Sequence, residues 1–369
     1  MKKILHLGKY YFPEFGGIES VTRDLAEGAV RAGFEVEVLC FSRKIRGENI
    51  FHGVHVIYCE MPILIASQPI GFRYCFEAFR RIGKCHVVHV HLPNILASLL
   101  VGFASRRVKV ALHWHSDIVS KGWLGWLVRP IELFALRRAN SIICTSRQYA
   151  SASSVLQDFM SKVDIVPIGV AEVNSNLGRV SLPPDLLEFV ANRKIVLSVG
   201  RIVSYKGFDV LVEACKNLDP DICVLIVGSG PLLDELRAKI ASCALASKVR
   251  LLGRVDDELL SMLFRSAKLF CLPSVERSEA FGVVLLEAMR LAIPIVATDI
   301  SGSGVPWVNA SDVSGINVPP FDSQALAEAI NYICGDEMLH ARLSSGALDR
   351  FLSKFTLNES ISNILKIYN

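Results

Sequence analysis

The sequence predicts an α/β protein made of two Rossmann-like domains, each a doubly wound parallel sheet. Short apolar runs alternate with amphipathic stretches along the whole chain, which is typical of strand–helix–strand units. This rhythm is interrupted at 171–184, where Asn, Ser, Gly and Pro dominate. The length of 369 residues suits two domains. We therefore expect a first domain over 1–170, a linker over 171–184, a second domain over 185–352, and a C-terminal helix over 353–369 that crosses back to the first.

The composition excludes several classes of protein. Hydrophobic residues make up 51% and charged residues 21%, which is typical of a folded chain, and the net charge of +4 gives no reason to expect nucleic-acid binding. None of the ten cysteines forms a C-x-x-C pair, so we expect buried thiols, with no disulfides and no zinc site. The longest stretch without Asp, Glu, Lys or Arg, 85–105, is split by Pro93-Asn94, and the apolar run at the N-terminus is short. We therefore expect no transmembrane helix, no signal peptide and a cytoplasmic location.

The first domain is expected to begin with a strand at 3–7, a loop containing Gly16 and Gly17, and a helix at 18–31. Glycines at such a loop let the backbone approach a ligand, and the helix N-terminus attracts anions. Further along, His113, His115, Ser116 and Asp117 follow a predicted strand at 108–112, at the edge where parallel sheets bind ligands. No third metal ligand lies near the two histidines in sequence, which argues against a metal site there.

The second domain repeats this arrangement with charged residues. Arg201 and Lys206 follow its first predicted strand, 195–199, where two cations suit a diphosphate; a solvated basic loop is the competing interpretation. Glu279 and Glu287 bracket an apolar helix start, and such carboxylates need polar partners such as sugar hydroxyls. The competing interpretation is a helix capped by Ser278 or Glu279, with Glu287 exposed on it. The single D-x-D sequence, at 219–221, lies at a strand entry where turn chemistry explains it, so we expect no metal.

Five motifs together resemble the large family 4 of retaining glycosyltransferases, which has the GT-B fold. They are Gly16-Gly17, His115-Ser116-Asp117, Gly200-Arg201 with Lys206-Gly207, Val227-Gly-Ser-Gly-Pro231, and the E-x7-E pair Glu279 and Glu287. The resemblance covers nearly the whole chain. It implies an acceptor-binding first domain and a donor-binding second domain that face a deep cleft. The phrases at 114–119 and 278–282 look most like a bacterial branch that builds O-antigen and other surface polysaccharides and includes mannosyltransferases.

The resemblance also implies roles for individual residues. Arg201 and Lys206 would bind the donor diphosphate and, with helix N-termini, replace a metal; no cofactor is expected. Glu279 would hold the donor sugar, Glu287 the ribose, and His115 would lie beside the reacting carbon. The remaining donor contacts would come from Gly16, Gly17, Gly253, Arg254, Val255, Ala280, Phe281, Gly282 and Val283.

The acceptor implied by the resemblance is a lipid-linked saccharide, with Ser116 and Asp117 on its side. A predicted helix at 72–82 has an apolar stripe and basic neighbours that suit an anionic membrane. The basic residues are Arg73, Arg80, Arg81 and Lys84. An ordinary core-facing helix is the competing interpretation.

The sequence is compatible with more than one donor and with several other functions. GDP-mannose is the first donor expected, and a UDP-hexose or UDP-N-acetylhexosamine is the second. A dehydrogenase is disfavoured because Val227-Gly-Ser-Gly-Pro-Leu-Leu233 has leucine where the third glycine of a dinucleotide fingerprint belongs. A nucleotide-sugar epimerase, a phosphorylase and a non-catalytic nucleotide-sugar binding protein are remoter possibilities.

Overall fold

The chain folds into two compact units. The computed structural model describes residues 1–14, 16–65, 68–117, 123–172 and 182–369, with the backbone alone at 123–127. Unit 1 comprises Met1–Gly169 and Leu357–Asn369, and unit 2 comprises Val170–Thr356. Most of the expected linker, 173–181, lies outside the described residues.

Unit 1 is built on an eight-stranded sheet, counted over its described residues. Its strands are β1 Lys3–Leu7, β2 Glu35–Phe41, β3 Gly47–Phe51, β4 Val54–Cys59, β7 Val87–Leu92, β8 Lys109–Trp114, β9 Ser141–Cys144 and β10 Val163–Ile165. The order is β10-β9-β8-β7-β1-β2-β4-β3, and every pair is parallel except β3 with β4. A separate hairpin consists of β5 Ile63–Ile65 and β6 Gln68–Ile70. The strand order reverses between β1 and β7, which is where such sheets bind ligands.

The helices of unit 1 cover this sheet. They are α1 Gly17–Arg31, α2 Phe72–Ile82, α3 Ile95–Gly102, α4 Trp123–Arg138, α5 Arg147–Ala152 and α14 Leu357–Tyr368. The C-terminal helix α14 packs on α1, where a Cβ built at Gly28 would lie 2.4 Å from Cδ1 of Ile361. Only glycine therefore allows this close approach.

Unit 2 is built on a six-stranded parallel sheet. Its strands are β11 Lys194–Val199, β12 Ile222–Val227, β13 Val249–Gly253, β14 Leu269–Leu272, β15 Ile295–Thr298 and β16 Gly315–Val318. Their order is β13-β12-β11-β14-β15-β16, so the reversal lies between β11 and β14. The helices are α6 Pro184–Val190, α7 Phe208–Ala214, α8 Leu233–Ser242, α9 Asp257–Ser266, α10 Val283–Met289, α11 Val305–Val308, α12 Ser323–Gly335 and α13 Glu337–Lys354.

The C-terminal segment that returns to unit 1 begins later than the predicted residue 353. Residues 353–354 still belong to α13, and Phe355 is buried against Phe281 and Trp307 of unit 2. The change of unit therefore falls after Thr356, because the aromatic contacts hold Phe355 in the second core.

Two other expectations can be compared with the structure. All ten cysteines are free, and eight of them are buried. Among the described residues, no helix combines the length and the apolar character that a membrane crossing requires.

Candidate functional site

The loops after β11 and β14 bring a cation and a carboxylate together at the strand-order reversal of unit 2. Nζ of Lys206 forms an ion pair with Oε2 of Glu279, and Oγ of Ser274 donates to the same oxygen at 3.0 Å. The Lys206 and Glu279 side chains are 12% and 11% exposed. Arg201, from the β11 loop, is exposed. The predicted diphosphate and sugar residues therefore share one edge of the sheet.

Lys206 stays charged in spite of its burial. Burial alone would lower the pKa of Lys206, but the Glu279 carboxylate outweighs burial, so the pKa of Lys206 lies above its ordinary value. A fixed positive charge at this place suits a phosphate ligand, which would compete with Glu279 for the lysine.

Glycines in the surrounding loops allow the backbones to touch. A Cβ at Gly207 would lie 2.0 Å from the Pro273 carbonyl oxygen, and one at Gly228 would lie 1.8 Å from that of Gly200. A Cβ at Gly230 would likewise meet the carbonyl of Ile202 at 2.1 Å. The segment Gly228-Ser229-Gly230 therefore packs against the loop 200–202 and helps to position Gly200 and Arg201. This packing explains its glycines without a dinucleotide-binding fingerprint.

The segment between Glu279 and Glu287 forms a tight turn into α10. Gly282 precedes the helix with φ 78° and ψ 56°, a left-handed conformation that favours glycine. The side chains of Ala280 and Phe281 are buried, so these residues can offer a ligand only their backbone. Glu287 is half-buried within α10, and burial raises the pKa of its carboxyl, opposed by Arg290 and aided by Asp257.

The predicted base edge lies at the end of β13. Gly253 has φ 66°, and a Cβ there would have open space around it. The Gly253 carbonyl accepts the N–H of Gly228 at 2.7 Å, while Arg254 is exposed and Val255 half-buried. This places 253–255 beside the Gly228 loop.

In unit 1, the loop after β1 carries Gly16 and Gly17 at the start of α1. Gly16 is the residue before the helix, with an extended backbone at φ 175° that any residue can adopt. A Cβ at Gly17 would meet no atom within 4 Å. A Cβ at Gly16 would meet Oε2 of Glu19 at 2.1 Å, which is the end of a flexible side chain, so the backbone packing of unit 1 requires neither glycine.

His115 belongs to a cluster of five buried histidines that the sequence analysis found only in part. The other members are His6 on β1, His89 and His91 on β7, and His113 on β8. Because residues i and i+2 of a strand share a face, the two His-x-His sequences on adjacent parallel strands were the signal that could have revealed the cluster. His113 lies within β8 and not after it, because this strand extends to Trp114.

The cluster also supplies the third imidazole that the sequence spacing lacked. Ligand nitrogens of His91, His113 and His115 lie within 4.8 Å of one another. The rings of His113 and His115 are stacked, with centroids 4.0 Å apart, and ligand nitrogens of His6, His89 and His91 form a second group of the same size. The absence of a metal cofactor stays a prediction.

The carboxylate of Asp117 accepts hydrogen bonds from other residues of unit 1. Its Oδ1 accepts from Nε1 of Trp114 and from Oγ of Ser153, each at 2.7 Å. Ser116 is half-buried beside it. These bonds tie Asp117 to the end of β8 and to Ser153, and the predicted acceptor role of Ser116 and Asp117 stays a prediction.

The outer face of α2 is apolar and basic, but one predicted membrane residue is misplaced. Phe72, Phe76 and Phe79 are 90%, 66% and 58% exposed. Arg73, Arg80 and Lys84 are also exposed. The assignment of Arg81 to this face was wrong, because its side chain is buried and ion-paired with Glu37, Glu48 and Glu77.

The exposed apolar surface continues into the hairpin before α2. Ile63, Leu64, Ile65 and Ile70 are 40–52% exposed. We call these four residues and the three phenylalanines of α2 the apolar surface of unit 1. Such surfaces mark sites of interaction with membranes or proteins.

Known proteins match both halves of the chain. Residues 16–169 match the model of the glycosyl transferase 4-like domain, and 186–350 match that of glycosyl transferases group 1. The chain is 32% identical to the O-antigen chain mannosyltransferase C of Escherichia coli, covering 99% of this chain and 98% of that protein. It is 29% identical to the D-rhamnosyltransferase WbpZ of Pseudomonas aeruginosa, over 96% and 92%.

Solved structures show the same fold. Anabaena HepE, crystallised in complex with UDP, superposes with a TM-score of 0.78 at 21% identity, covering 99% of each chain. Sucrose-phosphate synthase of Thermosynechococcus elongatus gives 0.79 at 21% identity, covering 100% of this chain and 98% of that one. The predicted fold class is thereby confirmed, and the chain belongs to the family 4 glycosyltransferases with the GT-B fold.

Proposed function

We propose that this glycosyltransferase moves a hexose, in the first place mannose from GDP-mannose, to a lipid-linked saccharide in the synthesis of O-antigen or a related surface polysaccharide. The observation that carries this proposal is the Lys206–Glu279 pair at the strand-order reversal of unit 2. It joins a cation for a diphosphate to a carboxylate for sugar hydroxyls. The full-length similarity to an O-antigen mannosyltransferase supports mannose.

The chemistry follows from the charges. Sugar transfer builds negative charge on the leaving diphosphate, and Lys206 and Arg201 stabilise it in place of a metal ion. When the diphosphate replaces Glu279 as the ion-pair partner of Lys206, the Glu279 carboxylate can accept hydrogen bonds from the donor sugar. Glu287 binds the ribose, and His115 contacts the sugar near the reacting carbon.

A lipid-linked acceptor is supported by the apolar surface of unit 1. Three phenylalanines and the basic residues Arg73 and Arg80 lie on α2, and Lys84 lies two residues beyond it, a combination that favours an anionic membrane surface. The enzyme would then act at the cytoplasmic face of the membrane, where such acceptors are anchored.

A UDP-sugar is the second candidate donor, because HepE, which has a similar fold, was crystallised in complex with UDP. Calorimetric titration with GDP and with UDP, both in EDTA, separates the two. We expect selective GDP binding; selective UDP binding would favour a UDP-hexose or UDP-N-acetylhexosamine, and binding of neither would contradict the donor site. Transfer from GDP-mannose to a lipid-linked saccharide should persist in EDTA, and its complete loss there would contradict the metal-free mechanism.

A further inference from the structure

A chain of three imidazoles leads from His115 into the interior of unit 1. Nε2 of His115 lies 3.1 Å from Nδ1 of His91, and Nε2 of His91 lies 3.0 Å from Nδ1 of His6. His91 and His6 are 1% and 0% exposed, whereas His115 retains 7%. His115 is therefore the member of the chain that a ligand can reach.

All three rings are uncharged. Burial lowers the pKa of His6 and of His115 to about 3, and that of His91 well below its ordinary value. A neutral imidazole has one N–H and one lone pair. Each nitrogen–nitrogen contact then holds one proton, so all the N–H groups of the chain point toward His115 or all point away from it.

The inner end of the chain decides between these two directions. Nε2 of His6 is buried and has no hydrogen-bond partner among the protein residues that the structure describes. An unpaired buried N–H group is rarer in proteins than an unpaired acceptor. The favoured arrangement therefore leaves a lone pair on this nitrogen, so that His6 donates to His91 and His91 donates to His115.

We propose that His91 is a positioning residue which, itself oriented by His6, holds His115 in the tautomer with its proton on Nδ1. His115 then offers a donor and not a base, and it hydrogen-bonds an oxygen of the donor sugar. Nδ1 of His115 has no protein partner among the residues described, which leaves it available. This inference rests on the proposed function, which places His115 beside the sugar.

The structure contains its own control. In a second chain, Nδ1 of His113 lies 3.2 Å from Nε2 of His89, and Nδ1 of His89 lies 2.5 Å from the hydroxyl of Tyr368 on α14. His89 is as buried as His91 and stacks on it, with centroids 4.5 Å apart, but forms no hydrogen bond to His115. Replacing His89 therefore removes similar packing and leaves the first chain intact.

Kinetics of transfer test the positioning role. His91→Leu should lower kcat about 10-fold or more with little change in the donor KM, because a displaced reacting group costs rate more than binding. His91→Asn, which can place an amide N–H near the lost Nδ1, should recover most of the loss, and His89→Leu should keep kcat within about 2-fold. Equal losses in His91→Leu and His89→Leu, or no recovery in His91→Asn, would overturn the proposal.

The tautomer can be measured on the unaltered protein without an activity assay. In ¹⁵N-histidine-labelled protein at neutral pH, Nδ1 of His115 should show the shift of a protonated nitrogen and Nε2 that of a lone pair, with assignment by His115→Gln. The opposite tautomer would overturn the proposal even if transfer proceeds as proposed. If the tautomer is as expected but no nucleotide sugar is turned over, the failure belongs to the proposed function.

Discussion

The two units place opposite kinds of chemistry at the same topological position. At the strand-order reversal of unit 1, five buried histidines are uncharged because burial lowers the pKa of each. At that of unit 2, Lys206 and Glu279 form an ion pair, and the pKa of the lysine is raised. The difference suggests that unit 1 recognises neutral hydroxyls through directed hydrogen bonds, whereas unit 2 stabilises the charge of a diphosphate.

Removing the cation of unit 2 should have the largest effect. Lys206→Ala deletes a charge-stabilising donor, so transfer should fall about 10²–10³-fold. It also leaves Glu279 buried without its partner, which should destabilise the protein by about 3 kcal/mol. Steady-state kinetics and denaturant unfolding measure the two effects. Lys206→Ala combined with Glu279→Gln should regain stability without activity, and retention of full turnover in Lys206→Ala would contradict the assigned role.

Removing only the negative charge separates the two halves of the pair. Glu279→Gln should lower transfer about 10²-fold, because the sugar loses its carboxylate partner. Nucleoside diphosphate binding should be unchanged or tighter, since Lys206 no longer has a competing anion. Calorimetry with the nucleoside diphosphate and turnover assays measure both, with Glu276→Gln in the same loop as a matched control. Weaker nucleotide binding together with full turnover would contradict both assignments.

Acid should destabilise unit 1 before unit 2. The histidine pKa values are depressed in the folded protein, so protons bind the unfolded state preferentially below pH 6.5. Stability is then fully present above pH 6.5 and falls as the pH drops toward about 3, by up to 1.4 kcal/mol per pH unit for each histidine. Three carboxyls of unit 1 oppose this, because burial raises the pKa of Glu132 to about 7 and also raises the pKa values of Glu19 and Asp24.

Hydrogen exchange measured by mass spectrometry at pH 7 and pH 5 can locate this effect. Relative to the intrinsic exchange rate at each pH, exchange in β1, β7 and β8 should accelerate at the lower pH, while exchange in β11 and β14 should change little. The raised pKa of Lys206 makes its contribution present below about pH 10.5 and lost only at higher pH, so it does not titrate in this range. Equal acceleration in both sheets would contradict the contrast between the units.

The smallest expected effect concerns the surfaces of the two units. Phe76→Ser with Phe79→Ser should weaken binding to anionic vesicles several-fold, because both side chains are more than half exposed on α2 and contribute little to the core. Phe321→Ser in unit 2, where the side chain is 68% exposed, is the matched control and should change nothing. Vesicle co-sedimentation measures this, and unchanged binding of the double variant would contradict membrane docking through α2.

Much of the fold could be predicted because it depends on local patterns. The bounds predicted for the strands at 3–7, 108–112 and 195–199 and for the helix at 72–82 agree with the structure to within two residues, since apolar runs and helical periodicity are properties of neighbouring residues. The strands β3 and β16 were missed, as were the hairpin strands β5 and β6. β3 is short and largely exposed, and β16 is only four residues long, so neither carries a distinct hydrophobic pattern.

The order of elements, the division into two Rossmann-like units and the positions of the motifs follow from local patterns in the sequence. Which side chains meet depends on the three-dimensional fold. Lys206 and Glu279 are far apart in sequence and become partners because β11 and β14 are neighbours in the sheet. His6, His91 and His115 come from three strands, and Arg81 is drawn inward by carboxylates of β2 and β3. Strand pairing is a non-local choice, and no pattern of adjacent residues encodes it.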